Sequence, residues 1–261
     1  MSYVTEHFND ILSQAKNNGM PLDREKGVLR EYLQAKILAE IYSKPSSKRF
    51  SFIGGTSLRI LHGIDRFSED LDFDNLGLSN DEVEELVQAV IKRFEDEGYE
   101  MELKITLREY KKYFEIKFLN ILFPLGLAQQ EGEKLLIKFD LASTWRYENT
   151  QSIAMNSFGF SRYIVTNTLD QKLVQKLCAY VNRKETQPRD LYDVVWLFAS
   201  GAHLDKDFMV NNNLGDLLEQ AKTKFATEGI KRGWEEKLAP FLFRANETQK
   251  LAMFGDVLAR L

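Results

Sequence analysis

The chain is poor in the residues that build a disulfide or metal framework. Its one cysteine, Cys178, has no second thiol to join, and its three histidines, His7, His62 and His203, show no zinc-like spacing with it. An internal disulfide is excluded, and a Cys/His metal site is not expected. Proline is scarce, at 5 of 261 residues, and no Pro/Gly-rich or low-complexity tract signals disorder. No apolar run approaches the roughly 20 residues that span a bilayer, and neither end has the basic-then-apolar layout of a signal peptide. A cytoplasmic protein without a membrane partner is the expectation. Basic charge is not in surplus either: the net charge of −4 argues against a general DNA-coating protein, while leaving room for a local basic pocket.

What is present is a hydrophobic content of 44%, enough for one large core or two modest ones. Leu29, Leu33, Ile37 and Ile41 recur every four residues between Gly27 and Ser43, which predicts an amphipathic helix. "RFSFI" predicts a short buried strand, broken at Gly54-Gly55 before a short helix, "TSLRILHG", closed by Gly63. In "EDLDFD" the acids Asp70, Asp72 and Asp74 alternate with Leu71 and Phe73, so a strand here places the three carboxylates on one face. Asn80 is a candidate cap for a helix whose stripe runs Val83, Leu86, Val87, Val90, Ile91 and Phe94. Alternating segments follow at Met101–Leu107, Phe114–Phe118 and Ile137–Leu141, as antiparallel or mixed strands. Beyond about residue 165 the pattern turns helical, with Leu169, Leu173, Leu177 and Tyr180 on one side of the first helix. The expected class is α+β: a mixed-sheet domain with N-terminal and flanking helices over residues 1–160, then a helical domain over 161–261.

The chemistry concentrates around Gly54 and Asp70. Residues two apart on a strand lie roughly 6.6 Å apart on one side, so Asp70 and Asp72 can converge on a cation, and Mg²⁺ favours a few carboxylates plus water and phosphate oxygens. A glycine pair lets backbone approach a ligand, and the N–H groups opening the next helix can face phosphate. Arg59 and Arg66 add positive charge. Asp140 interrupts "LLIKFDLA" on the face opposite Ile137, Phe139 and Leu141, where it is either a third site acid or part of a solvated sheet face. Taken singly, a glycine pair is an ordinary turn and a row of strand acids an ordinary wet surface. Further along, Lys172, Lys176 and Arg183 share one edge of a helix, which as a rule is solvated.

"GGTSL" followed closely by "RFSEDLDF", and later "QKLCAYVNRKETQPRDLYDVVWL", resemble in order the signatures of the AbiEii/AbiGii nucleotidyltransferase toxin family of type IV toxin–antitoxin systems, within the DNA polymerase β-like superfamily. The resemblance spans most of residues 50–198 and implies a nucleotidyltransferase-like fold. It implies that Gly54, Gly55, Thr56, Ser57 and Arg59 hold a nucleoside triphosphate, that Asp70 and Asp72 bind Mg²⁺, and that Lys176 contacts the phosphates. Asp190 matches the first acid of the R-D-x-x-D motif, although an acid one turn into a Pro-initiated helix is also favoured by the helix dipole. For Asp140 only the superfamily pattern supplies a role, as metal ligand or as base.

The implied reaction is transfer of NMP from NTP to an acceptor hydroxyl, with the tRNA 3′ end as an acceptor and a separately encoded antitoxin as partner. "REYKKYFEIK" and "GIKRGWEEK" mix cations with aromatics as RNA surfaces do, though acids dilute both. Two other readings keep the same residues: an NTP-binding switch without transfer, and a phosphotransferase moving the γ-phosphate to a protein hydroxyl. No Walker-type string supports the latter.

Overall fold

The computed structural model describes residues 3–108 and 111–261; of "REYKKYFEIK", Glu109 and Tyr110 lie outside the described residues. The described chain divides into two compact units, one made of residues up to Gly63, Phe67–Thr144 and Ser152–Thr166, the other of Ile64–Arg66, Trp145–Gln151 and Asn167–Leu261. The expected division at residue 160 falls on the first residue of the second strand of a hairpin, and that hairpin stays almost wholly with the sheet unit.

The sheet unit opens with α1 (Tyr3–Asn17) and α2 (Glu25–Ile41), followed by β1 (Phe50–Ile53), α3 (Gly54–His62), β2 (Leu71–Asn75) and α4 (Asn80–Asp96). Then come β3 (Met101–Arg108), β4 (Lys111–Phe118) and β5 (Leu135–Ala142), and the hairpin β6 (Thr150–Ser157) and β7 (Phe160–Asn167). The order in the main sheet is β1-β2-β5-β4-β3, with β2 and β5 parallel and the other neighbours antiparallel, so the sheet is mixed as expected. One face is a continuous aromatic and aliphatic core in which Phe73 stacks on Phe139 at 4.6 Å and packs against Phe50 and Phe52. Burying those rings fixes the register, because a one-residue slip would turn all of them outward. Period-two alternation then sends Ser51, Asp72, Asp74 and Asp140 to the other face.

Two local expectations change. The residue that caps α4 is Ser79, not Asn80: its hydroxyl accepts from the Glu82 amide while the Glu82 carboxylate accepts from the Ser79 amide, a reciprocal capping box. Helix α2 is buried nearly all round rather than amphipathic. Its polar residues Glu31, Gln34 and Lys36 are enclosed because each meets a specific partner: Arg59, the carbonyls of Ser68 and Glu69, and Glu97. β6 carries little alternation because it is mostly exposed, whereas β7 buries Ile164, Thr166 and Asn167 at its end.

The second unit contains α5 (Leu169–Asn182), α6 (Pro188–Ala199), α7 (Lys206–Asn211), α8 (Leu217–Glu228), α9 (Trp234–Leu238) and α10 (Phe254–Arg260). Leu173, Leu177 and Tyr180 of α5 enter its core with Leu191 and Val195 of α6, and the Tyr180 and Phe254 rings meet edge-on at 5.0 Å. Segment 64–66 is woven in by backbone: Arg66 bridges Leu242, and the Phe243 amide donates to the Asp65 carbonyl at 3.0 Å. Among the described residues, no helix is long and apolar enough to cross a membrane.

Candidate active site

In the sheet unit the site is built on the turn from β1 into α3. Ile53, the last residue of β1, is the register partner of Asp72, and Gly54 follows with φ +73°. A Cβ on Gly54 would lie 2.1 Å from Asp72 Oδ2 and 2.8 Å from its Cγ, so glycine is needed there both for the backbone and for room. The Thr56 hydroxyl donates to the Asp70 carbonyl, and the Ser57 hydroxyl donates to the Gly54 carbonyl at 2.8 Å. Both hydroxyls are buried and fasten the turn, and Gly55 just before them is buried too.

Asp72 and Asp140 are direct register partners on the parallel strands β2 and β5, so they stand side by side on one sheet face, each partly exposed. Asp70 precedes the first residue of β2. Asp74 is buried and accepts the Thr144 amide at 2.8 Å, which makes it a fixture of the chain leaving β5. Asp140 also lines a cleft of about 230 Å³ with Thr106, Tyr113 and Lys138. Two carboxylates on adjacent strands, about 5 Å apart, repel by about 3 kcal/mol at an effective dielectric constant of about 20, which favours a cation or a proton between them.

Among the described residues, no group of three His, Cys, Asp or Glu side chains forms a cage that would hold an ion by itself. Mg²⁺ does not require one, since it keeps several waters and completes its shell with one or two carboxylates and substrate phosphates. The Asp72–Asp140 pair beside the Gly54 turn fits that donor set. Arg59 is held elsewhere: its Nε donates to both carboxylate oxygens of Glu31, at 3.0 and 3.1 Å, in a buried pair. Burial pushes the Glu31 carboxyl up, with Arg59 opposing.

In the helical unit the second motif forms a charge network. Asp193, fully buried, accepts from Nε and Nη2 of Arg66, both at 2.6 Å, and lies 2.8 Å from the Lys176 ammonium. Lys176 is also 3.6 Å from Asp190, whose other oxygen lies 2.8 Å from Arg183 Nε. Burial alone would raise the Asp193 carboxyl, yet Arg66 and Lys176 hold it below its ordinary value. Burial likewise opposes the Arg66 charge, and Asp193 more than offsets this.

The edge carrying Lys172 and Lys176 is therefore not solvated: Lys172 is 2% exposed, and burial pulls its ammonium down to about 7, with Glu148 opposing and Lys176 adding to the effect. The pairing of Arg66 with Asp193 had no signal in the sequence beyond the presence of both motifs.

The structure thus brings Gly54, Asp72 and Asp140 together in one unit, and Lys176, Asp190 and Asp193 in the other. A family model described as nucleotidyl transferase AbiEii toxin, type IV toxin–antitoxin system, matches residues 36–258. The fold is similar to the crystal structure of JHP933 from Helicobacter pylori, at 17% identity and a TM-score of 0.55 over 90% of this chain and 93% of that one. It is equally similar to a candidate nucleotidyltransferase from H. pylori, at 17% identity and a TM-score of 0.55, covering 90% of this chain and 96% of the other. A search of curated proteins finds no match.

Proposed function

We propose, from the premise that the chain belongs to the AbiEii family of nucleotidyltransferase toxins of type IV toxin–antitoxin systems, that it transfers NMP from a bound NTP to an acceptor hydroxyl. The observation that supports this most directly is the register pairing of Asp72 with Asp140 beside a glycine that leaves room for the Asp72 carboxylate.

Asp72 and its register partner Asp140, with Asp70 just ahead of β2, would hold Mg²⁺. Bound there, Mg²⁺ supplies Lewis-acid neutralisation of phosphate charge. The backbone N–H groups of the Gly54–Ser57 turn, at the opening of α3, bind phosphate oxygens, while the buried Thr56 and Ser57 hydroxyls keep the turn in shape. Asp140 accepts the proton of the acceptor hydroxyl as its oxygen attacks the α-phosphorus. The bond from that phosphorus to the bridging oxygen breaks, and pyrophosphate leaves. Lys176 contacts the triphosphate in the same reading, and its two carboxylate neighbours fix its ammonium. The acceptor is an RNA 3′ end such as that of tRNA, the setting is the cytoplasm, and an antitoxin relieves the resulting growth arrest.

Separate α- and γ-labelled NTPs, incubated with Mg²⁺ and tRNA, test the proposal. The α-label should move to RNA with release of pyrophosphate, and Asp72→Asn should abolish both. Transfer of the γ-label to protein, or NTP binding with no pyrophosphate under any acceptor, would refute it.

A further inference from the structure

A groove between the end of α2 and the β6–β7 hairpin departs from the charge pattern of this acidic chain. It encloses about 640 Å³, and its lining includes Lys44, Lys48, Arg162 and Tyr163, with Ser152 and Asn156 among them and no carboxylate from any described residue. Among the described residues, none of these three cations has an ion-pair partner; Arg162 donates only to the neighbouring Ser161 carbonyl, at 2.8 Å. Surface cations are normally interspersed with acids, and a stretch that lacks them is a polyanion footprint. Tyr163 is 72% exposed beside them, a ring held out to solvent in the same groove as Pro45 and Ala154.

The walls of the groove are joined by hydrogen bonds. The Tyr42 hydroxyl donates to the carbonyls of Phe50 and Val165, at 3.1 Å each, and the Thr166 hydroxyl donates to the Phe52 carbonyl, which ties the hairpin to β1. Phe50 lies three residues before Ile53, the register partner of Asp72, so the Tyr42 anchor is about 10 Å from Asp72 along β1 at roughly 3.3 Å per residue.

We propose that this groove binds a single-stranded RNA segment, with Lys44, Lys48 and Arg162 on successive phosphates and Tyr163 stacked on a base. Ser152 and Asn156 offer the hydrogen bonds that a 2′-hydroxyl accepts and donates. The inference rests on the reading of the protein as an enzyme acting on an RNA acceptor, and it adds a surface on the β6–β7 side of the sheet unit that holds such a strand. A membrane surface fits less well, because the cations line a groove, which a single strand can enter and a flat bilayer surface cannot.

Fluorescence anisotropy of the full chain with a labelled 12-nucleotide oligouridine, without NTP, tests it. Three phosphate contacts on a single strand give a slope of log K against log[salt] near about −2, so affinity should fall about 20-fold from 50 to 200 mM KCl. The triple variant Lys44→Gln/Lys48→Gln/Arg162→Gln should weaken binding and flatten that slope. Tyr163→Ala should weaken binding about fivefold or more at every salt concentration, whereas Tyr163→Phe should not. All of these side chains are at the surface, so melting curves should match the wild type. Wild-type binding by the triple variant overturns the proposal, as does equally tight binding of duplex RNA or anionic vesicles that is indifferent to Tyr163→Ala. Asp72→Asn should bind the oligonucleotide normally, so the two readings can fail separately. If the wild type transfers nothing but binds RNA with this variant pattern, the enzymatic reading falls and the groove stands; if it transfers NMP to RNA with no dependence on these residues, the groove falls.

Discussion

Gly54 and Gly63 flank the same helix with nearly equal backbone angles, φ +73° and +76°, yet their surroundings differ completely. An alanine at either position is forced into the left-handed region, at about 1–2 kcal/mol. At Gly63 that is the whole cost, because nothing lies within 4 Å of the added methyl. At Gly54 the methyl meets Asp72 Oδ2, Cγ and Cβ at 2.1, 2.8 and 2.9 Å, so the Asp72 side chain must move. Overpacking of that kind adds about 1–3 kcal/mol. At about 2–4 °C per kcal/mol for a chain of this size, Gly54→Ala should melt about 2–12 °C below Gly63→Ala. Activity should separate them further, since a displacement of about 1 Å at a catalytic group costs on the order of a hundredfold. Gly63→Ala should retain NMP transfer, and Gly54→Ala should lose it. In an Asp72→Gly background the clash is gone, so Gly54→Ala should then cost no more than Gly63→Ala does. Thermal melts of the five proteins and one transfer assay suffice. Equal melting losses for the two single alanine variants would show that Asp72 does not occupy the space beside Gly54.

Two further outcomes are expected. Asp193→Asn leaves Arg66 and Lys176 around a neutral amide, and loss of one partner of a buried pair costs about 3–5 kcal/mol. The double variant Arg66→Met/Asp193→Leu should recover much of this in denaturant titrations, and a single variant within about 0.5 kcal/mol of the wild type would contradict the network. Lys172, whose folded pKa is depressed from 10.5 to about 7, binds its proton more readily when unfolded. Its contribution to stability is therefore complete above about 10.5 and is lost as pH falls toward 7, with a slope of at most about 1.4 kcal/mol per pH unit. The stability difference between wild type and Lys172→Met, followed from pH 6 to 10.5, should rise with pH, and a flat difference would place Lys172 in water.

Much of the sheet unit was legible because burial imposes a period. The stripe from Val83 to Phe94 is buried as its spacing requires, and the alternation in β2 and β5 set the faces of Asp72 and Asp140. Alternation gives a face but not a neighbour: that Asp72 lies opposite Asp140 depends on a parallel pairing between segments far apart in sequence. Helix α2 departs from its expected amphipathic pattern for a similar reason. Glu31, Gln34 and Lys36 look like a wet face, and only distant partners make them affordable inside. The β6–β7 hairpin carries a weak signal because β6 is mostly exposed, β7 is buried only toward its end, and its turn is Phe158-Gly159, with Phe158 at φ 49°, where Asn-Gly is the usual signal. The pairing of Arg66 with Asp193 spans 127 positions, and no local pattern foreshadows it.

Dividing the gene into domain-sized pieces offers no clean cut. A fragment starting at Asn167 would omit Arg66, leaving Asp193 without the guanidinium that neutralises it. It would also omit the strip 145–151, whose Asn149 amide donates to Gln171 Oε1 and whose Arg146 pairs its backbone with the Asn212 amide. The complementary fragment would carry Ile64–Arg66 and 145–151 as loops stripped of their hosts. Recombination that swaps the helical portion for that of a relative must therefore also bring three residues from the front of the gene and the strip 145–151, or the exchanged product keeps a buried Asp193 without its guanidinium.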